Sequence, residues 1–237
     1  MPDSLGDRMK QYYEDRGRVY LTRRTPAILR VDGRAFHTLT RSLQKPYDSR
    51  LSAAMDYTAS HMMKVIQGAK LAYVQSDEIS ILLSDYEQLN SGAWFDYNVQ
   101  KMCSIASSTA TAEFNLLFGT LMNNAQVRAT FDCRVFNIPE SDVSNYFLWR
   151  ARDWHRNSVQ MFARAHFSHR QLHGKSQPMV HEMLHDIHKN WAMEVSDRFR
   201  NGLFLAGREN IPHHIPPKYD LIYNLVHSTL GESETDI

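Results

Sequence analysis

Apolar residues recur along the chain with two periods, and the switches between them predict a strand, a helix and two further strands before longer helices take over. Ala27 to Val31 is an apolar, β-branched run that feeds into Asp32 and stops at Gly33, which reads as a buried strand. From Ser49, the residues Leu51, Met55, Met62, Val65 and Ile66 return on or near one helical face, and Gly68 supplies a stop. Two short strands follow, Lys70 to Val74 and Ile79 to Leu83, joined tightly through Gln75-Ser76-Asp77-Glu78. Trp94 to Leu121 reads as a helix whose small-residue stretch, Ser104 to Ala112, suits close packing against a sheet. Val127, Ala129, Phe131, Cys133 and Val135 alternate on one face of a strand from Val127 to Ile138, which Pro139 ends. Behind a cap at Ser141, a long helix is marked by Val143, Phe147, Ala151, Trp154, Ser158, Phe162 and Ala165. A short helix after Pro178, a strand at Gly202 to Ala206 and a polar Gly-Glu-Ser-Glu tail complete the expectation.

With 237 residues and 43% apolar content, the chain can bury a substantial core, and no repeat or low-complexity linker divides it. One globular unit is expected. The polar start, Met1 to Lys10, and the lack of about twenty uninterrupted apolar residues predict neither a signal peptide nor a membrane span. A soluble, cytoplasmic protein without a membrane partner is expected. Cys103 and Cys133, one in a helix and one in a strand, read as buried free thiols, too few and badly spaced for a thiol metal site or a disulfide framework. The net charge of +1 gives no global attraction to nucleic acid, but its distribution is uneven. Between Arg150 and Lys175 six basic residues face one acid, Asp153, with His155, His166, His169 and His173 interleaved. A local basic surface follows.

The acids carry the candidate chemistry. Asp32 closes one apolar strand, and Asp77 and Glu78 occupy the turn between the next two, so neighbouring strands would bring these carboxylates to one sheet edge. Hard divalent cations take oxygen ligands, and Mg²⁺ is commonly held by one or two carboxylates together with phosphates and water. Two such ions can activate a hydroxyl and neutralise a leaving pyrophosphate. Aspartates at strand ends also serve as plain turn formers or caps. The surrounding Val-Asp-Gly-Arg-Ala-Phe-His at 31–37 adds a glycine that lets backbone approach a triphosphate and an arginine able to contact it.

These blocks together closely resemble the tRNA-His guanylyltransferase family and the broader guanylyltransferase-like 3′-to-5′ polymerases. The resemblance rests on Asp32-Gly33-Arg34-Ala35-Phe36-His37, Lys45-Pro46-Tyr47-Asp48, Tyr73-Val74-Gln75-Ser76-Asp77-Glu78, Phe131-Asp132-Cys133-Arg134-Val135, Trp149-Arg150 with Asp153 through Ser158, and Gly174-Lys175-Ser176. It implies an α+β fold with a palm-like antiparallel sheet and packed helices, as in polymerases and nucleotidyl cyclases. It further implies two Mg²⁺ ions on Asp32, the Gly33 carbonyl and Asp77, with Glu78 as a supporting acid. Arg34, Ala35, Phe36 and His37 would line the nucleotide site, largely through backbone, with Lys45 and Ser76 near the triphosphate. Arg150, Asp153, His155, Asn157 and Lys175 would serve the activating nucleotide or the tRNA 5′ end. ATP or GTP would activate a 5′-monophosphorylated tRNA, and the 3′-hydroxyl of an incoming nucleotide would attack that end. The implied organisation is one domain over residues 1–237, with a catalytic core at about 20–140, a helical binding part at about 141–210 and a flexible tail at 211–237. Family members are dimers or tetramers, so a homo-oligomer is expected. Where eukaryotic members carry His-Ile-Asn-Asn-Leu-Tyr-Asn, this chain has His155-Arg156-Asn157-Ser158-Val159-Gln160-Met161, which looks like the branch that repairs truncated tRNA 5′ ends.

Three rival readings compete. His181-Glu182-Met183-Leu184-His185 fits the short zinc-peptidase pattern, yet His188 and Trp191 stand where the longer motif has Gly and His. Helical projection puts Val180, Met183, Leu184 and Ile187 on an apolar face and the histidines away from it, as on a solvated surface. An RNA-recognition module would need strand aromatics, which Ile79 to Leu83 lack. A palm-type nucleotidyl cyclase shares the metal logic, and the basic segment favours a polynucleotide over a free nucleotide.

Overall fold

The computed structural model describes residues 4–231. Six strands are β1 (Ala27–Gly33), β2 (Ala69–Gln75), β3 (Glu78–Leu83), β4 (Phe131–Asn137), β5 (Leu203–Ala206) and β6 (Ile211–His213). The α-helices are α1 (Leu5–Met9), α2 (Phe36–Leu39), α3 (Ser49–Val65), α4 (Val99–Leu121), α5 (Glu140–Arg164), α6 (His169–Leu172), α7 (Gln177–Asp186), α8 (Trp191–Glu194), α9 (Asp197–Asn201) and α10 (Tyr219–Leu230). The strands form one sheet in the order β4-β1-β3-β2-β5-β6, with every pairing antiparallel. The strand, helix, strand, strand opening is as the periodicity predicts, and the architecture is the expected α+β type.

Alternation along each strand loads both faces of the sheet. Ala27, Leu29 and Val31 of β1 enter one core with Ile79 and Ile81 of β3, roofed by α3 and α4. Ile28, Leu71, Tyr73 and Leu82 enter the other, covered by α5 and α10. A third cluster forms where α5 overruns the sheet, with Val159, Phe162 and Ala163 against Leu172, Val180, Leu184 and Trp191. Asp48 caps α3 by accepting from the Arg50 amide at 2.9 Å, and Asn98 caps α4 by accepting from Lys101 at 3.0 Å.

Several boundaries differ from the sequence expectation. Trp94–Tyr97 is a separate 3₁₀ turn in which Phe95 and Asp96 are left-handed, φ 50° and 51°, so α4 begins only after Asn98. β4 starts at Phe131 because Asn115 of α4 satisfies both the amide and the carbonyl of Ala129, at 2.8 Å each, in place of a strand neighbour. Val127 and Ala129 are buried nonetheless, which produced the strand-like pattern. Helix α5 begins at Glu140 straight after Pro139, so Ser141 lies inside its first turn, where Glu140 and Asp142 favour the helix dipole. The expected flexible tail is structured up to Leu230. Residues 211–213 add the edge strand β6, and α10 buries Ile222, Val226 and Leu230. Most of the Gly-Glu-Ser-Glu segment lies outside the described residues. Cys103 and Cys133 are free but only partly buried, and α4 sets them beside each other against β4, where burial pushes both thiols up.

Candidate active site

The antiparallel register of β1 and β3 sets Asp32 opposite Glu78, and β4 on the other side of β1 sets Asp132 opposite Asp32. Because period two governs a strand face, Arg30, Asp32, Asp132 and Arg134 share one side of the β1–β4 ribbon. Gln75 and Glu78 are the last pair of the β2–β3 hairpin, so Ser76 and Asp77 form a two-residue turn, with Ser76 left-handed at φ 46°. The Gly33 amide donates to the Asp77 carbonyl at 2.9 Å and draws the end of β1 onto this turn. The convergence expected of the three acids is therefore present, and it arises because β1 neighbours β3.

Both aspartates have their pKa raised from the ordinary aspartate value. For Asp32 the main cause is burial, followed by the charges of Glu78 and Asp132, with Arg30 and Arg134 opposing. For Asp77 it is again burial, resisted by the Ser76 hydroxyl and reinforced by Asp32 and Glu78. Crowded carboxylates of this kind are relieved by a bound cation. Among the described residues no three His, Cys, Asp or Glu side chains gather as a metal cage. Two carboxylates with the Gly33 carbonyl leave positions for phosphate oxygens and water, and that donor set suits Mg²⁺.

Asp77 borders a cleft of about 400 Å³ that is lined also by Gly33, Ala35, Phe36, His37 and Ser76, while Asp32 is not part of its lining. Ala35 is left-handed, φ 55°, as the N-cap of α2. The Phe36 ring turns into the core against Phe114 and Phe131, at 5.3 and 5.1 Å between centroids. A Cβ on Gly33 would sit 2.4 Å from that ring, so the glycine is demanded by close approach. Arg34 is exposed and absent from the lining of this cleft; its amide donates to Thr130 at 2.8 Å. Lys45 lines a smaller adjoining cleft of about 100 Å³ that shares Thr40, Leu51 and Ser76 with the first, and its ammonium donates to the Thr40 carbonyl at 2.9 Å.

Helix α5 supplies the rest. Arg150 donates to both Glu78 oxygens, at 2.7 and 2.8 Å, and to Asp153 at 3.4 Å. Asn157 faces the same carboxylate at 3.5 Å. Glu78 is thus committed to a buried ion pair beside the aspartates. His155 stands apart from this group: its ring meets Trp191 edge-on at 4.8 Å, and burial lowers its pKa. Lys175 lies in the α6–α7 connection, exposed, with only its amide engaged among the described residues. Ser158 is a structural tie, taking hydrogen bonds from Tyr47 and Trp191 and donating to the Phe199 carbonyl. The sequence reading assigned no role to Arg30, whose Nε is buried without a partner among the described residues, nor to Asp132 and Arg134. For Arg30 the signal was its place two residues before Asp32 on the same strand; Asp132 and Arg134 come to that face only through the β1–β4 pairing. In α7 Val180 and Leu184 are buried and His181 and His185 exposed, so the zinc-peptidase pattern is a solvated face there; Ile187, expected on the apolar face, is exposed.

An antiparallel sheet with acids at the end of its first strand and in the following hairpin defines a palm-type fold. Comparison with known proteins narrows this: the sequence model of Thg1, tRNAHis guanylyltransferase, matches residues 6–139. The chain belongs to this family. A bacterial tRNA(His) guanylyltransferase (Thg1)-like protein solved in complex with ATP is 36% identical, with a TM-score of 0.87, over 94% of this chain and 100% of that one. The same kind of protein in complex with GTP gives 34% identity and a TM-score of 0.78, covering 94% and 98%. The tRNA(His) guanylyltransferase of Debaryomyces hansenii is 30% identical over 67% of this chain and 60% of its own length. The chain spans about three fifths of the length of the first curated relatives it matches. Among the described residues no helix is long and apolar enough to cross a membrane.

Proposed function

We propose that the chain is a nucleotidyltransferase that adds nucleotides to the 5′ end of tRNA in the 3′-to-5′ direction, with ATP and GTP as substrates. The observation that carries this is the meeting of Asp32, Asp77 and the Gly33 backbone beside a nucleotide-sized cleft, in a chain whose bacterial relatives were solved with ATP and GTP. Asp32, the Gly33 carbonyl and Asp77 would hold two Mg²⁺ ions, whose chemistry when bound would be to neutralise the pyrophosphate released as ATP activates the 5′ phosphate and to activate the incoming 3′-hydroxyl that then displaces AMP. The residues of the chain position the reactants. Ala35, Phe36 and His37 wall the cleft for the incoming nucleotide, while Arg34, Lys45 and Ser76 serve its triphosphate. Arg150 holds Glu78 in place behind the two aspartates. Asp153, Asn157 and Lys175 belong with the RNA 5′ phosphate or the activating nucleotide, and His155 borders that region.

Repair of truncated tRNA 5′ ends is favoured over strict guanylylation of histidine tRNA by the Arg156-Asn157-Ser158 sequence on α5. The whole chain acts as one palm-type domain, assembled as a dimer or tetramer. A direct test supplies Mg²⁺, ATP and labelled GTP with a 5′-monophosphorylated tRNA lacking its first nucleotide, in parallel with full-length histidine tRNA. Label at the truncated end is the expected result. Label confined to histidine tRNA would assign strict guanylylation, and no label in either would leave a nucleotidyl cyclase as the better account.

A further inference from the structure

Three of the four tryptophans, Trp94, Trp154 and Trp191, are interior, whereas Trp149 on α5 is 51% exposed. Its ring is nonetheless held. Tyr146 meets it edge-on at 5.9 Å between centroids, and the Arg150 guanidinium lies over it at 4.6 Å. That guanidinium is anchored on Glu78, so the indole is two contacts from the carboxylate edge of the sheet. Beside it opens a cleft of about 500 Å³ lined by Trp149, Arg152, His155, Arg156, Gln177 and Pro217. The cleft contains no acid and shares no residue with the Gly33–Asp77 cleft. Asp153, the one acid on this stretch of helix, is shared by Arg150 and Arg156, and Arg152 forms no ion pair among the described residues.

An indole fixed on one side by a cation and bordered by further arginines has the chemistry that receives a nucleobase and its phosphate. Stacking on such a face accepts any base, which suits an RNA end of varied sequence. We infer that Trp149 is a stacking platform for a nucleobase near the 5′ end of bound RNA, with Arg152 and Arg156 on the adjoining phosphates. This rests on RNA being the substrate. It places RNA on the outer flank of α5 while the incoming nucleotide occupies the separate cleft at Gly33 and Asp77.

The test titrates the full-length protein with a 5′-monophosphorylated tRNA lacking its first nucleotide, read by filter binding over a range of salt. Trp149→Ala should weaken RNA binding about 5- to 100-fold, Trp149→Phe should restore most of it, and GTP affinity should be unchanged in both. Arg152→Ala should reduce the slope of log affinity against log salt by roughly 0.7–0.9, the signature of one lost phosphate contact. RNA binding by Trp149→Ala within about twofold of wild type would overturn the platform alone. Wild-type protein that binds GTP but no RNA would overturn the platform and the tRNA reading together. Weakened binding accompanied by a changed oligomeric state would assign the indole to a subunit contact and overturn the inference as well.

Discussion

Asp77 sits in a two-residue turn where a backbone bond from Gly33, a left-handed Ser76 and two neighbouring acids all meet. Its raised pKa sets the sign of a stability effect. A folded-state pKa above the unfolded one means that the folded protein binds more protons, so stability falls as pH rises through the carboxylate range, and the deficit is complete above the raised value. In chelator at neutral pH, Asp77→Asn should therefore raise Tm, by about 2–4 °C for each kcal/mol relieved, and the gain should shrink on acidification. Thermal unfolding at two pH values measures it. The aspartates were legible in the sequence because Asp32 closes an apolar run and Asp77 occupies the turn between two more. Asp132 and Arg134 were not, because their place beside Asp32 depends on β1 pairing with β4 across about a hundred residues of chain.

Helix α5 links the carboxylate edge to the basic flank, and the Arg150–Glu78 pair is the joint, with both side chains 10% exposed. Removing one member leaves an unpaired buried charge, so Arg150→Ala should cost about 3–5 kcal/mol in denaturant unfolding. Glu78→Gln combined with Arg150→Met should recover much of that loss, because no lone charge remains. Helix α10 makes a second demand: Ile222 is fully buried, so Ile222→Ala should cost about 2–5 kcal/mol, whereas a mobile tail would register nothing. The helix fell within the stretch expected to be a flexible tail, where Asp220, Asn224, His227 and Ser228 interrupt the stripe of Ile222, Val226 and Leu230. The misjudged start of β4 has a different origin, since the Asn115 side chain that replaces a ladder there belongs to another element.

At the scale of the molecule, helices cover both faces of the sheet, and the acids gather at the edge where β1 ends and the β2–β3 hairpin turns. The fold class followed from the family resemblance, and the opening order of strand, helix, strand, strand from the run of strand and helix periods. The strand order β4-β1-β3-β2-β5-β6 did not, since apolar spacing says which residues are buried but not which strand neighbours which. Along the carboxylate edge, Lys45 and Ser76 lie by the clefts next to Asp77, and Arg150, Asp153 and Asn157 lie on α5. The central claim is that this edge transfers a nucleotide to an RNA 5′ end. Its most direct test follows incorporation of labelled GTP into a 5′-monophosphorylated, truncated tRNA by wild type and Asp77→Asn side by side, with GTP binding and Tm recorded for both. The account predicts 5′-terminal label with wild type and a loss of at least about 100-fold in the folded variant. Equal incorporation by Asp77→Asn, or none by folded wild-type protein, would contradict it.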